Sequence, residues 1–151
     1  MKATDLKQPH KLGAGCLLVC QSTDKFLLIK RSEYVPTPNT WSLPGGRVDY
    51  GEKPLIAAKR EVSEETGFDI GDRKMQLIYH NDVHAPRFRY YTYACIVDDE
   101  FKPILNWEST DYMWCDLDTL PNPLHWGVSQ LVSHDVAGQK LNRFIESAKR
   151  R

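Results

Sequence analysis

The 151-residue chain is long enough to bury the core of one domain, and we expect a single domain over residues 1–151. Twenty basic and twenty acidic side chains balance, so no overall field favours nucleic acid or an anionic membrane. The polar N-terminus is unlike a secretion signal, and no apolar run approaches membrane-spanning length. The four cysteines have no C-x-x-C spacing and fit reduced thiols. Together, these features predict a cytoplasmic protein.

The first part of the chain predicts an irregular end followed by a β-hairpin. Residues 1–10 are polar and are expected to be loosely ordered. The apolar run from Leu12 to Cys20 predicts a buried strand, and residues 21–24 turn the chain into a second strand over 25–31. Arg31 ends this second strand. Residues 32–40 contain two prolines and predict a loop.

Residues 46–68 carry the most informative pattern in the chain. In order, it consists of Gly46, five residues, Glu52, seven residues, Arg60-Glu61-Val62, one residue, Glu64-Glu65, one residue and Gly67-Phe68. Pro54 suits a first helical turn and Gly67 suits a helix end, so we predict a helix over about 53–66. Its apolar stripe packs on the protein, and three glutamates gather on a neighbouring face.

These three glutamates, at positions 61, 64 and 65, favour a bound cation. Like charges at i,i+3 and i,i+4 destabilise an isolated helix by roughly 0.2–0.5 kcal/mol per pair, and a cation between them offsets that repulsion. All-oxygen ligands suit Mg²⁺ or Mn²⁺. Arg60 lies at i,i+4 from Glu64 and can hold that carboxylate in one orientation. The alternative is a solvated Glu-rich surface, and the flanking glycines and the complete register argue against it.

The pattern resembles the Nudix box of the Nudix hydrolases at every specified position. The resemblance implies metal ligands at the Gly45 carbonyl and at Glu61, Glu64 and Glu65. It also implies that a box glutamate, Glu64 or Glu61, takes a proton from the attacking water, while Arg60 orients a carboxylate.

Two basic residues near the box are candidates for binding substrate. A basic residue commonly ends the second strand of Nudix enzymes, so the resemblance makes Arg31 a candidate phosphate contact, with an ordinary exposed strand end as the alternative. Arg47, in the loop before the box helix, is the other candidate.

Two strands are predicted after the box. Residues 75–83 have a strand-like apolar pattern broken at 80–82, residues 84–87 predict a loop, and residues 88–97 are strongly β-prone. Alternation places Phe88, Tyr90, Thr92 and Ala94 on one face and Arg89, Tyr91, Tyr93 and Cys95 on the other. Tyr90 is therefore a candidate for stacking a nucleobase, and the alternative is that these rings fill a face of the sheet.

An acidic segment and two helices complete the chain. Residues 107–121 resemble the acidic loop, strand and Leu-Asp-x-Leu-Pro corner of many Nudix proteins. In that family an acid from this loop often completes the metal site or serves as base. Glu108 is the first candidate for that role and Asp111 the second, with a solvated loop acid as the alternative for each. Residues 122–133 and 135–150 predict two helices, the second amphipathic with a basic end.

Together these elements predict an α/β fold, and the resemblance, over residues 12 to about 121, implies the Nudix α/β/α sandwich with a mixed β-sheet. It implies an Mg²⁺- or Mn²⁺-dependent hydrolase of phosphoric anhydride bonds, acting on a small nucleotide substrate in which a nucleoside diphosphate is linked to another group, X. Many relatives are homodimers. ADP-ribose, diadenosine polyphosphates and FAD are the favoured substrates.

Three alternatives to this function remain open. They are a nucleoside triphosphate pyrophosphatase, a GDP-sugar hydrolase and a nucleotide-sensing module without catalysis. The loop that contains Arg47 is similar to that of GDP-mannose hydrolases, which have an altered box and cleave at carbon. The intact Glu64-Glu65 pair favours attack at phosphorus, and a sensing module typically loses box carboxylates.

Overall fold

The computed structural model describes residues 11–84 and 87–149, so the expectations for residues 1–10 and for the junction at 85–86 lie outside the described residues. The described strands are β1 (Lys11–Cys20), β2 (Phe26–Arg31), β3 (Trp41–Ser42), β4 (Gly45–Arg47), β5 (Met75–His84), β6 (Arg87–Val97) and β7 (Ser109–Cys115). The described helices are α1 (Pro54–Thr66), α2 (Trp126–Ser133) and α3 (Asp135–Lys149). None of these helices is both long and apolar enough to cross a membrane.

The strands form one mixed sheet, which confirms the predicted α/β class. Its order is β3-β2-β1-β6-β5, with β4 paired to β1 and β7 paired to β2. The central strand β1 is antiparallel to β2 and β4. It is parallel to β6 along its whole length, from the pair Lys11 and Phe88 to the pair Cys20 and Val97.

Helices cover both faces of this sheet. Alternate residues of β1 point to opposite sides. Cys16 and Leu18 pack in the same cluster as Ala58 and Val62 of α1. Leu17 and Val19 pack in a second cluster with residues of α2 and α3. The alternation predicted for β6 is found too, since Tyr93 and Cys95 join the α1 cluster and Ala94 joins the other.

The predicted helix over 122–133 is wrong in its first turn, because α2 begins only at Trp126. Proline disfavours helical backbone at the residue before it, which here is Asn122. Residues 123–125 instead run beside β3: the Trp41 N–H donates to the Pro123 carbonyl at 3.0 Å, and the His125 N–H donates to the Trp41 carbonyl at 2.8 Å. His125 Nδ1 then caps α2 by accepting from the Gly127 N–H at 3.0 Å.

Strand β5 continues through the polar residues that were expected to interrupt it. His80, Asn81 and Asp82 pair in register with residues of β6. The carboxylate of Asp82 binds the guanidinium of Arg89 across the two strands at 2.6 Å. Because β5 lies at the edge of the sheet, its polar side chains reach solvent without breaking the ladder of backbone hydrogen bonds.

Candidate active site

Two glycines of β4 form the surface against which the acidic face of α1 lies. A Cβ atom on Gly46 would stand 2.6 Å from Cδ and Oε1 of Glu61. The Gly45 N–H donates a hydrogen bond to Glu65 Oε1 at 3.3 Å. The pair of glycines therefore lets two carboxylates of α1 approach the main chain of the sheet, which a larger residue at position 46 would prevent.

The three box glutamates have unequal surroundings. Glu61 and Glu65 are only 9% and 6% exposed, whereas the side chain of Glu64 is 53% exposed. Burial raises the pKa of Glu65, and the neighbouring Glu61 carboxyl raises it further, while the hydrogen bond from Gly45 acts in the opposite direction. This pair of buried acids carries a like-charge repulsion that a bound cation would relieve.

Arg60 connects four parts of the site. Its Nη1 donates to Glu61 Oε2 at 2.9 Å and to Glu64 Oε1 at 3.2 Å, the second being the contact that the i,i+4 spacing predicts. Its Nε donates to Glu52 at 2.9 Å, and its Nη2 donates to the Arg47 carbonyl at 3.0 Å. Glu52, ahead of Glu61, raises the pKa of Arg60 above its usual range, so the guanidinium stays charged. From the sequence alone Glu52 is assigned no role in the site, although its fixed place in the box pattern is a usable signal.

A cavity of about 140 Å³ adjoins these groups, and charges of both signs line it. Arg31, Gly45, Glu65 and Glu108 are among its lining residues. Arg31 is half-buried, and its Nε donates to the Pro36 carbonyl at 2.7 Å. The structure therefore brings Arg31 and Glu108, which are far apart in sequence, to the same space as the box.

Two predicted residues lie away from this cavity. Asp111 is exposed on β7 and lines a separate open groove with Glu100 and Lys102. The side chain of Arg47 is exposed, and only its main-chain carbonyl takes part in the contacts of Arg60. Glu108, the first candidate from the acidic loop, is the one that the fold places beside Glu65.

Tyr90 lies on the face of the sheet opposite α1, where its side chain packs against three glycines. A Cβ atom on Gly13 would stand 2.6 Å from its ring, and its hydroxyl occupies the space that Cβ atoms on Gly15 or Gly45 would need. Burial raises the pKa of Tyr90, and the nearby charge of Glu65 raises it further. The ring thus fills this part of the sheet face, with its hydroxyl end behind Gly45.

The NUDIX domain family model matches residues 9–134. This chain belongs to the Nudix hydrolase family. The mRNA-decapping enzyme subunit 2 of Arabidopsis thaliana is 30% identical over 129 residues, which are 84% of this Nudix chain and 32% of that protein. The m7GpppN-mRNA hydrolase dcap-2 of Caenorhabditis elegans is 30% identical over 113 residues, 71% of this chain and 14% of that protein. The Nudix chain thus spans a third or less of the length of these two relatives.

Solved Nudix structures share the fold. The MutT NUDIX hydrolase from Burkholderia pseudomallei has a TM-score of 0.68 and 26% identity, and the match covers 89% of this chain and 98% of that one. The NUDIX domain of Shewanella oneidensis NrtR, complexed with ADP ribose, has a TM-score of 0.72 and 21% identity, covering 93% and 94% of the two chains. At this identity the second match supports the fold alone.

Nudix hydrolases generally need a divalent metal, and the donor atoms of this Nudix site suit one. Glu65 and Glu108 line the cavity together with Gly45, and the Glu61 carboxyl lies beside that of Glu65. Yet within residues 11–84 and 87–149 no three His, Cys, Asp or Glu side chains converge closely enough to hold one ion. Arg60 contacts the carboxylates of both Glu61 and Glu64 in this arrangement.

Proposed function

We propose that this Nudix chain is a divalent-metal-dependent pyrophosphohydrolase that cleaves a nucleoside diphosphate linked to another group, X. The observation that carries the proposal is the cavity lined by Arg31 together with Glu65 and Glu108. A diphosphate with its metal ion needs both kinds of group, because carboxylates bind the cation and a guanidinium binds phosphate oxygens. A cavity for an uncharged ligand would not need either.

Each residue of the site has a role in this proposal. Glu61, Glu64, Glu65 and the Gly45 carbonyl would hold Mg²⁺ or Mn²⁺, and that ion would neutralise phosphate oxygens and lower the pKa of a bound water. Glu64 is exposed beside Arg60 and takes a proton from the attacking water, with Glu61 and Glu108 as alternatives. Arg31 binds a phosphate oxygen. Its Nε donates to the Pro36 carbonyl, and its two terminal nitrogens have no hydrogen-bond partner among residues 11–84 and 87–149.

Arg60 keeps the box carboxylates in place in this scheme. It contacts Glu52, Glu61 and Glu64 at once, and its guanidinium has the flat geometry that suits several carboxylates. Its position between Glu61 and Glu64 also supplies positive charge when no metal is bound. We therefore assign Arg60 to orientation and Glu64 to proton transfer.

ADP-ribose, diadenosine polyphosphates and FAD-like dinucleotides are the proposed substrates. In support, one structure of similar fold and 26% identity is an ADP-ribose pyrophosphatase from Streptococcus suis. The relatives named as decapping enzymes add the capped 5′ end of RNA, which is also a nucleoside joined through phosphates to a larger group. Nucleoside triphosphates and GDP-sugars belong in the same test as alternatives.

A substrate panel with Mg²⁺ or Mn²⁺ tests the proposal. We expect hydrolysis of at least one dinucleotide-type substrate, release of a nucleoside monophosphate, and incorporation of ¹⁸O from labelled water into a phosphate product. Glu64→Gln is the matched control and should reduce turnover by several orders of magnitude with the fold intact. Cleavage at the sugar carbon would instead support a GDP-sugar hydrolase. Tight nucleotide binding without turnover would support a sensing module and contradict the proposal.

A further inference from the structure

The C-terminal end of α1 is held by a segment from a distant part of the chain. The last carbonyls of any helix lack partners within the helix. Here the Ile104 N–H donates to the Thr66 carbonyl at 2.8 Å, and Asn106 Nδ2 donates to the Glu64 carbonyl at 3.1 Å. The side chain of Ile104 also covers Gly67, at which the helix stops. We call residues 104–108 the clasp segment.

Asn106 makes a second set of contacts inside the clasp segment. Its Nδ2 lies 3.2 Å from Glu108 Oε1, and its Oδ1 accepts a hydrogen bond from the Glu108 N–H at 3.0 Å. Only one orientation of the amide satisfies all three contacts, because the NH₂ group must face two acceptors and the oxygen must face the one donor. The amide therefore joins the main chain of α1 to both the backbone and the carboxylate of Glu108.

Glu108 is fixed on its other side as well. Its carbonyl accepts a hydrogen bond from the Ser32 N–H at 2.8 Å, which ties it to the loop after β2. Glu108 lines the same cavity as Glu65. The clasp segment restrains the position of Glu108 relative to α1, since Asn106 bonds both to Glu108 and to the helix that carries Glu65.

We propose that Asn106 is a positioning residue, which holds the carboxylate of Glu108 at a fixed place relative to the acidic face of α1. The inference rests on the proposed function, because the position of Glu108 matters for turnover only if hydrolysis occurs at this cavity. A simple helix cap would need only a donor to the Glu64 carbonyl. The additional donation to Glu108 Oε1 indicates that the amide also orients a carboxylate that takes part in the reaction.

Two substitutions separate these contacts. Asn106→Asp keeps an acceptor for the Glu108 N–H and places a carboxylate where the NH₂ group was. Asn106→Ser keeps a hydroxyl acceptor for the same turn but lacks the reach to donate to both Glu64 and Glu108. We expect kcat to fall about 10- to 100-fold in each variant, as for other residues that orient the ligands of a metal site, with KM changed less than about threefold.

Asp69→Ser is the matched control. Asp69 Oδ1 accepts a hydrogen bond from the Gly71 N–H at 3.0 Å, in the same two-residue turn geometry as Asn106 and Glu108, but away from the cavity. We expect this variant to keep the kcat of the wild type. Its thermal unfolding temperature should lie close to that of Asn106→Ser, which would show that turn stability is not what sets the rate.

A double-mutant cycle with Glu108→Ala decides whether Asn106 acts through Glu108. If it does, Asn106→Ser lowers kcat by no more than about twofold in the Glu108→Ala background. Calorimetric titration of Mn²⁺ without substrate gives a second readout, in which both single variants should weaken binding and the double variant should weaken it no further. Full additivity of the two substitutions in both measurements would overturn the proposal.

The remaining outcomes also distinguish this inference from the proposed function. If the wild type hydrolyses no substrate of the panel, the proposed function fails. If the wild type is active and Glu65→Gln is inactive, but Asn106→Ser retains the wild-type kcat, the proposed function stands and the role of Asn106 fails. Unfolding of both Asn106 variants would assign Asn106 to stability alone and would likewise overturn the proposal.

Discussion

Helices α1 and α3 cover opposite faces of one sheet, yet they bury different kinds of side chain. The buried positions of α3 are apolar: Ala137, Leu141, Phe144 and Ala148. Those of α1 include Glu61 and Glu65 among alanines and Val62. The α3 side therefore contributes apolar burial without polar cost, whereas the α1 side buries carboxylates that burial alone would disfavour. The comparison shows how one fold divides stability and reactivity between its two faces.

The sharpest way to test this division is to neutralise Glu65. In Glu65→Gln we expect turnover to fall by several orders of magnitude, because the proposed metal ligand is lost while the shape of the side chain is kept. The thermal unfolding temperature of the metal-free protein should stay the same or rise, since a buried like-charge pair is removed. Steady-state kinetics and calorimetry measure the two effects, and near-normal turnover in a folded variant would contradict the assignment.

A substitution on α3 should have the opposite effect, a loss of stability without a loss of turnover. Leu141 is fully buried, so Leu141→Ala should destabilise the protein by about 2–5 kcal/mol through lost burial and the cavity left behind. Urea unfolding measures this change. Turnover per folded molecule should remain at the wild-type level, because Leu141 packs on the face opposite the box. A large loss of kcat in the folded fraction would show that the two faces are coupled.

The same substitution, glycine to alanine, can be made on each of the two faces and its effects compared. In Gly46→Ala the new Cβ would stand 2.6 Å from the Glu61 carboxyl, so that group must move, and we expect kcat to fall about 100-fold. In Gly138→Ala on α3 the nearest atom is the Val132 carbonyl oxygen at 3.6 Å, an ordinary contact. That variant should keep full activity and gain up to about 1 kcal/mol of stability from the better helix former. Equal kinetic effects at both positions would contradict the comparison.

The smallest expected effect is a pH dependence of the metal-free protein. The folded pKa of Glu65 is raised above its ordinary value of 4.5, chiefly by burial and next by Glu61. A group of this kind stabilises the fold fully below its ordinary pKa, and this contribution is lost as the pH rises toward the folded pKa. In EDTA, the unfolding temperature of the wild type should therefore fall from about pH 5 to about pH 9 more than that of Glu65→Gln does. If the unfolding temperatures of the wild type and Glu65→Gln changed with pH in parallel, this prediction would be wrong.

The sequence predicts the parts of this site that depend only on helix geometry. The box helix was expected over about 53–66 and runs from Pro54 to Thr66. The contact of Arg60 with Glu64 follows from their i,i+4 spacing and is present. The α/β class was also predicted from the order of the elements, and the mixed sheet between helices followed from the resemblance to the Nudix family.

The unequal burial of the three glutamates could not be predicted in the same way. It depends on how α1 meets β4, and β4 takes its position by pairing with residues of β1 that lie 30 to 34 positions earlier in the chain. The contacts of Tyr90 with the glycines and of Asn106 with Glu64 likewise join residues that only the complete fold brings together. The first turn of α2 was predicted wrongly for the same reason, since Trp41 binds residues 123–125.

The parallel pairing of β1 with β6 has a consequence for how the protein is made. Strand β1 is synthesised well before its long parallel partner, which is complete only at Val97. Contacts between such distant segments form slowly, because a large loop must close before any of them can form. A ribosome-bound chain therefore exposes one side of its central strand, with α1 already translated, until the second half of the sheet emerges.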